Sequence, residues 1–182
     1  MTKIQKISRL ARLCFQGLIV LLPLCVCYYW LTINTAYDYL GLYGIIDLDL
    51  DVAGLTQVPL SVTTRFLALG VSLTLCAILM QALTLLVRLF KNYERQDIFS
   101  YENAVLYTQL GRIIFYWVIG SFIYNAVLSV ILSFNNSPGE RVLELTFTGV
   151  DVMTLVLGVI VLVISWVMKE AYEISEEHRQ TI

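Results

Sequence analysis

Four long apolar stretches constrain this chain more than any other feature of its sequence. They occupy residues 13–33, 66–90, 113–134 and 147–168, and crossing the roughly 30 Å hydrocarbon core of a bilayer takes about 20 such residues in a helix. Because lipid offers no hydrogen-bond partner to the backbone, a segment that crosses it must be α-helical. The sequence therefore predicts an all-α integral membrane protein, a four-transmembrane-helix bundle forming one domain over residues 1–182.

The composition supports the same fold class. The chain is 58% hydrophobic and only 14% charged, whereas an ordinary soluble domain carries about 25% charged residues. A soluble domain of this size would bury only roughly 70% of the surface of its unfolded chain, so the lipid bilayer is expected to cover the remaining apolar surface. The net charge of −2 does not favour direct binding of nucleic acid, which requires a basic face.

The distribution of basic residues predicts how the helices are oriented. Ten of the 12 Lys and Arg residues lie in the N-terminal tail, in the connection 91–112 with its flanks, and in the C-terminal tail. The loops 34–65 and 135–146 carry only Arg65 and Arg141. Since positive charge is retained on the cytoplasmic side, we expect both termini and the connection 91–112 to be cytoplasmic, and the other two loops to be extracytoplasmic.

The longer extracytoplasmic loop contains an acidic alternating segment. Residues 46–52 alternate apolar and acidic side chains, which is the period of a strand, and a short strand or hairpin is expected there. The spacing of Asp47, Asp49 and Asp51 is similar to that of a calcium loop, but Val52 stands where such a loop needs glycine. A solvated acidic rim is the favoured interpretation, and no metal site is predicted.

Polar side chains at membrane depth are the first candidates for function, because they are costly there. Gln16 and Gln81 lie in the inner halves of the first and second spans. Asn125 lies in the outer half of the third span, and Asp151 is the acidic residue about one turn inside the fourth. Together they form a candidate intramembrane polar site.

Two interpretations of these polar residues remain open at the level of the sequence. In the first, Asn125 and Asp151 approach each other, with Tyr124 and Arg141 as neighbours, and bind a ligand or ion. In the second, the polar residues make interhelical hydrogen bonds that set the packing, and Asp151 caps the start of the fourth helix.

The connection between the second and third spans contains the best-defined local signals. Ser100 is a favourable helix N-cap, Glu102 suits the first turn of that helix, and Ile98 and Phe99 precede the cap as a hydrophobic staple. The helix is expected to continue into the third span. We select Phe99, Ser100, Glu102 and Asn103 as the candidate cytoplasmic interaction residues.

No catalytic, cofactor-binding or metal-ligating pattern is recognisable. The four cysteines lie in apolar stretches without the CxxC spacing of redox or zinc sites, and His178 has no cysteine or second histidine near it in the sequence. Paired acids and a phosphate-binding glycine loop are also missing from the pattern. The sequence therefore predicts a non-enzymatic protein without a cofactor.

Two regions carry a pattern that matches a known family. The residues concerned are Leu89-Phe90, Ile98-Phe99-Ser100, Glu102-Asn103, Leu110-Gly111, Gly158, Met168-Lys169-Glu170-Ala171, Glu176-Glu177 and Thr181-Ile182. This pattern, over about residues 60–182, resembles the domain of unknown function 2975 (DUF2975) family of small bacterial membrane proteins. The chain departs from it at Arg95-Gln96 and at Ala171, where glycine is frequent in the family.

The resemblance implies four membrane helices in the bacterial cytoplasmic (inner) membrane, and a gene often neighboured by one for a helix-turn-helix regulator. We therefore expect a membrane regulator that binds a cytoplasmic helix-turn-helix transcription factor through residues 91–103 and the C-terminal tail. The alternative is a small-molecule sensor, channel or transporter centred on Asn125 and Asp151, where a homo-oligomer would supply a pore.

Overall fold

Helices dominate the computed structural model, which describes residues 2–35, 37–39, 52–56 and 59–180. Within those ranges no strand is present. In chain order the helices are α1 (Lys3–Thr32), α2 (Val52–Leu55), α3 (Val62–Glu94), α4 (Tyr101–Ser133) and α5 (Gly149–Gln180).

Four of these helices are long and apolar enough to cross a membrane: α1, α3, α4 and the Gly149–Ile174 part of α5. This confirms the predicted all-α, four-span fold class. The helices α3 and α4 contain 33 residues each, or about 50 Å at 1.5 Å per residue. They are therefore longer than the hydrocarbon core and extend beyond the apolar stretches that identified them.

Two predictions, the strand at residues 46–52 and the orientation of the termini, are not confirmed. Residues 46–51 of the expected strand lie outside the described residues, and Val52 begins the short helix α2. The cytoplasmic orientation of the termini stays a prediction.

The chain divides into two compact units. The termini unit comprises Met1–Val20, Ile78–Val118 and Thr148–Ile182, and the loop unit comprises Leu21–Ala77 and Ile119–Phe147.

The loop unit is built around buried aromatic side chains. Trp30 of α1 donates its indole N–H to Ser72 Oγ of α3 over 2.7 Å, and Ser72 Oγ lies 3.0 Å from the hydroxyl of Tyr124 in α4. Buried polar atoms of three helices thus satisfy one another away from water. The surrounding core consists of Tyr29, Ile33, Leu55, Leu60, Ala68, Leu128 and Leu132.

The connection after α4 is extended and runs beside that helix. Gly139 has φ +101°, a backbone conformation that favours glycine. The hydroxyls of two buried α4 serines then accept hydrogen bonds from the extended backbone, Ser133 from Val142 N–H at 3.1 Å and Ser129 from Glu144 N–H at 3.0 Å. The serine hydroxyls thus accept the hydrogen bonds that a neighbouring strand would accept if this segment belonged to a sheet.

In the termini unit, the start of α1 packs against the end of α3. The guanidinium of Arg12 forms a half-buried ion pair with Glu94 over 2.9 Å. The rings of Phe15 and Phe90 lie 5.5 Å apart between centroids, and Ser8 is buried on the same part of α1. The basic N-terminal segment is thus part of the folded unit.

Close contact between α4 and α5 depends on glycine. A Cβ built on Gly111 of α4 would lie 2.6 Å from Leu162 Cδ2 of α5, and one on Gly158 would lie 3.1 Å from α4 side chains. Two polar contacts join the same helices: the hydroxyls of Thr108 and Ser165 lie 2.5 Å apart, and Ser165 Oγ donates to Ala104 O at 2.9 Å. Small residues let membrane helices approach closely, which explains why glycine suits both positions.

Candidate functional site

The turn between α3 and α4, residues 95–100, begins with a helix termination held in an unusual backbone conformation. Gln96 has φ +66°. Its N–H donates to Tyr93 O at 3.0 Å, and the N–H of Asp97 donates to Asn92 O at 3.1 Å. This pair of bonds is the Schellman motif, in which the left-handed position is usually glycine. The turn is therefore specified by hydrogen bonding even though glutamine occupies the glycine position.

Two buried asparagines hold the α3–α4 turn from inside. The side chain of Asn103 is fully buried, and its Nδ2 donates to Asp97 O at 2.7 Å and to Ile98 O at 2.9 Å. Its Oδ1 accepts a 2.9 Å hydrogen bond from the buried Asn92. The prediction that Asn103 belongs to an interaction surface is wrong, because its amide is enclosed and satisfied within the protein.

The start of α4 matches its predicted cap. Ser100 Oγ accepts a hydrogen bond from Asn103 N–H at 3.4 Å, and Ser100 O accepts one from Ala104 N–H at 3.2 Å. Glu102 lies exposed in the first turn, where a carboxylate favours the positive end of the helix dipole. Ser100 therefore positions the turn.

The outward side of the turn presents aromatic residues. Phe99 is 66% exposed, so the expected staple does not include it, while Ile98 is half-buried. Tyr101 is also exposed, and its ring lies 6.1 Å from that of Tyr172 in α5. We call Phe99, Tyr101 and Glu102 the turn surface; its backbone is fixed and its side chains are accessible.

The C-terminal part of α5 lies in the same unit as the turn surface. The helix continues to Gln180. Lys169 and Glu173 form an exposed ion pair over 3.7 Å, which contributes little to stability. Exposed Glu170 and Ile174 complete a mixed acidic and apolar surface on this extension.

Asp151, the acidic candidate at membrane depth, is engaged at the start of α5. Its Oδ2 accepts hydrogen bonds from Thr148 N–H at 2.7 Å and from the Thr148 hydroxyl at 2.9 Å. A side chain three residues into the helix that reaches back to the N-cap forms half of a capping box. This geometry favours the structural interpretation of Asp151 over a ligand site.

The residues expected around Asp151 have partners of their own in the loop unit. The Tyr124 hydroxyl bonds Ser72, and the Arg141 guanidinium lies 4.9 Å from the centroid of the Phe134 ring. Asn125 is half-buried in α4 of that unit, whereas Asp151 belongs to the termini unit.

The two glutamines expected at an internal polar site face outward. Gln16 on α1 and Gln81 on α3 are both exposed. An exposed side chain on a spanning helix faces lipid or another protein, so neither amide lines an internal site. The sequence did not indicate this for Gln81, because the residues on its side of the helix, at positions 77, 84 and 88, are small or polar, as is typical of a helix–helix contact.

The remaining features of the termini unit offer little chemistry. A cavity of about 180 Å³ is lined by apolar side chains such as Trp117, and by Thr154, whose hydroxyl donates to Val150 O at 2.8 Å. Among the residues that the structure describes, no three His, Cys, Asp or Glu side chains cluster closely enough to hold a metal ion. The cavity can hold apolar groups but has no charged group to orient a reaction.

Comparison with known proteins identifies one family. The family model described as "Protein of unknown function (DUF2975)" matches residues 10–182. The match extends the resemblance seen in residues 60–182 to the whole first span, residues 13–33. No curated protein and no solved structure matches the chain.

Proposed function

The chain belongs to the DUF2975 family, and on that premise we propose that it is a non-enzymatic regulator in the bacterial inner membrane. It holds a cytoplasmic helix-turn-helix transcription factor on the turn surface and on the C-terminal part of α5. The observation that carries this proposal is the 66% exposed Phe99 on a turn whose backbone is fixed by the buried Asn92 and Asn103. A preorganised aromatic residue binds at a low entropic cost.

The length of α4 supports contact with a protein in the aqueous phase. This helix begins at Tyr101, whereas the third apolar stretch begins at residue 113. At 1.5 Å per residue, the first turns of α4 extend about 18 Å beyond that stretch. The turn surface is therefore far enough from the hydrocarbon for a folded protein to approach it.

Charge supports the kind of partner. Glu170 and Glu173 are exposed on the extension of α5, and Glu102 is exposed at the start of α4. A DNA-binding protein carries a basic surface for phosphate, and complementary charge increases the association rate and specificity of a complex. Binding through these acidic residues would compete with DNA for the transcription factor.

Co-purification of a helix-turn-helix transcription factor with the full chain tests the proposal. The Phe99→Ala variant should lose most of the bound partner, and so should a chain truncated after Lys169. The matched control is Phe147→Ala, since Phe147 is 56% exposed and lies in the loop unit. Undiminished partner on both Phe99→Ala and the truncated chain, with normal membrane insertion, would refute the proposed binding surface.

A further inference from the structure

An amide side chain lies on the outer surface of α3 at a depth where the medium is hydrocarbon. Gln81 is exposed on the helix Val62–Glu94, and about 13 Å of helix separates it from residue 90, the nearer end of the apolar stretch 66–90. A glutamine side chain is far shorter than that distance, so its amide cannot reach the headgroups. No hydrogen bond joins this amide to another of the described residues, which is a costly state in lipid.

The face of α3 around Gln81 is composed of small and polar residues. Thr74 and Thr84 donate their hydroxyls to carbonyls of the preceding turn, at 3.0 Å and 2.8 Å. A Cβ built on Gly70 would meet nothing within 4 Å. Exposed positions alternate between four and three residues apart, which is the spacing of a helix–helix seam. Between residues 70 and 88 they are Gly70, Thr74, Ala77, Gln81, Thr84 and Arg88.

The exposed face of α5 has the opposite composition. Its residues are bulky and apolar, as contact with acyl chains requires, and they include Val152, Met153, Val156, Val159, Ile160 and Val163. Lipid tails cannot hydrogen-bond Gln81. In membranes, small residues allow helix backbones to approach and amides bond across the interface. The α3 face is therefore suited to another helix.

We propose that the α3 face docks on the α3 face of a second copy of this chain, with the two Gln81 amides hydrogen-bonded to each other. All copies insert in the same direction, so their α3 helices run parallel, and a two-fold axis along the membrane normal places each residue opposite itself. A primary amide both donates and accepts, so two glutamines satisfy one another. Arg88 lies two turns further along, towards the end of the apolar stretch, where water and headgroups screen its charge.

The first test measures dimerisation in vesicles by energy transfer between two labelled populations of the full chain as lipid dilutes them. Gln81→Leu should weaken the dimer about tenfold, or by about 1.4 kcal/mol. Gln16→Leu is the control, because Gln16 is equally exposed but lies only one turn after Arg12, and its amide can extend towards the headgroups. Equal dissociation constants for wild type and Gln81→Leu, or a monomeric wild type, would overturn the proposal.

A second readout does not depend on how the Gln81→Leu variant folds. A photoreactive amino acid is placed in the otherwise wild-type chain either at Thr84, on the α3 face, or at Val159, on the α5 face. Covalent dimers should form from position 84 and not from position 159. Cross-linking at position 84 to lipid alone or to a different protein would exclude a second copy as the occupant. This interface is separate from the turn surface, so its failure leaves the proposed function untouched.

Discussion

At the scale of single residues, two buried amides in the termini unit fix the α3–α4 turn, although the sequence assigned one of them, Asn103, to an exposed surface. Asn103 contacts two carbonyls of the α3–α4 turn and Asn92. The sequence could not show this, because an asparagine after a helix cap is usually solvated, and only the packing of two helices encloses it. The cap at Ser100 was predictable because it depends on local chemistry alone.

Replacing Asn103 tests whether it fixes the turn. Asn103→Ala should lower the free energy of unfolding by about 2–3 kcal/mol, since it leaves buried carbonyl and amide groups without partners. Unfolding in mixed micelles followed by circular dichroism provides the measurement. The control is Gln109→Ala on the exposed side of α4, which should change stability by no more than about 0.5 kcal/mol. Similar losses for both variants would contradict this role.

Gln96 occupies a left-handed backbone position that favours glycine, and placing glycine there should stabilise the protein. Gln96→Gly relieves the left-handed conformation at φ +66° and should raise the free energy of unfolding by about 0.5–1 kcal/mol, since glycine loses more backbone entropy on folding and offsets part of the gain. The neighbouring Arg95→Gly should instead destabilise, because Arg95 does not have a positive φ. A loss of stability in Gln96→Gly would show that the side chain, not the conformation, matters there.

At the scale of helices, hydropathy located the spans but not the full lengths of the helices. The apolar stretches end within two residues of α1 at Thr32 and of α4 at Ser133, because both the stretch and the helix stop where the loop begins. At the other ends, α1 starts at Lys3 and α3 continues to Glu94. Those extensions depend on tertiary contacts such as the Arg12–Glu94 ion pair. A sliding average of hydropathy along the sequence does not detect such contacts.

The crossing of α4 and α5 gives a prediction at this scale. Gly111→Ala places a Cβ 2.6 Å from Leu162 Cδ2, and overpacking of this kind should cost about 1–3 kcal/mol of stability. Combining it with Leu162→Ala should recover part of the loss, a coupling that a double-mutant cycle measures. Gly17→Ala is the control, since a Cβ there meets nothing within 4 Å, and it should stabilise α1 by up to about 1 kcal/mol. Purely additive losses would argue against a close crossing.

At the scale of the whole molecule, the chain is a four-span helical membrane protein in which each unit supplies a different feature. The loop unit holds a satisfied polar cluster at Trp30, Ser72 and Tyr124, whereas the termini unit holds the fixed turn with its exposed aromatic residues. Asp151, one of the sequence's candidates for a ligand site, instead accepts hydrogen bonds at the start of α5. The accessible chemistry therefore concentrates at the turn surface, and the proposed function follows from that distribution.

Site-specific photo-cross-linking in intact bacteria tests the proposed function most directly. Two variants are made, one with a photoreactive amino acid in place of Phe99 and one with it in place of Phe147. The proteins cross-linked to each variant are identified by mass spectrometry. We expect a helix-turn-helix DNA-binding protein attached at position 99 and absent at position 147. Attachment of that protein at position 147 alone, or attachment of position 99 only to lipid or to an extracytoplasmic protein, would contradict it.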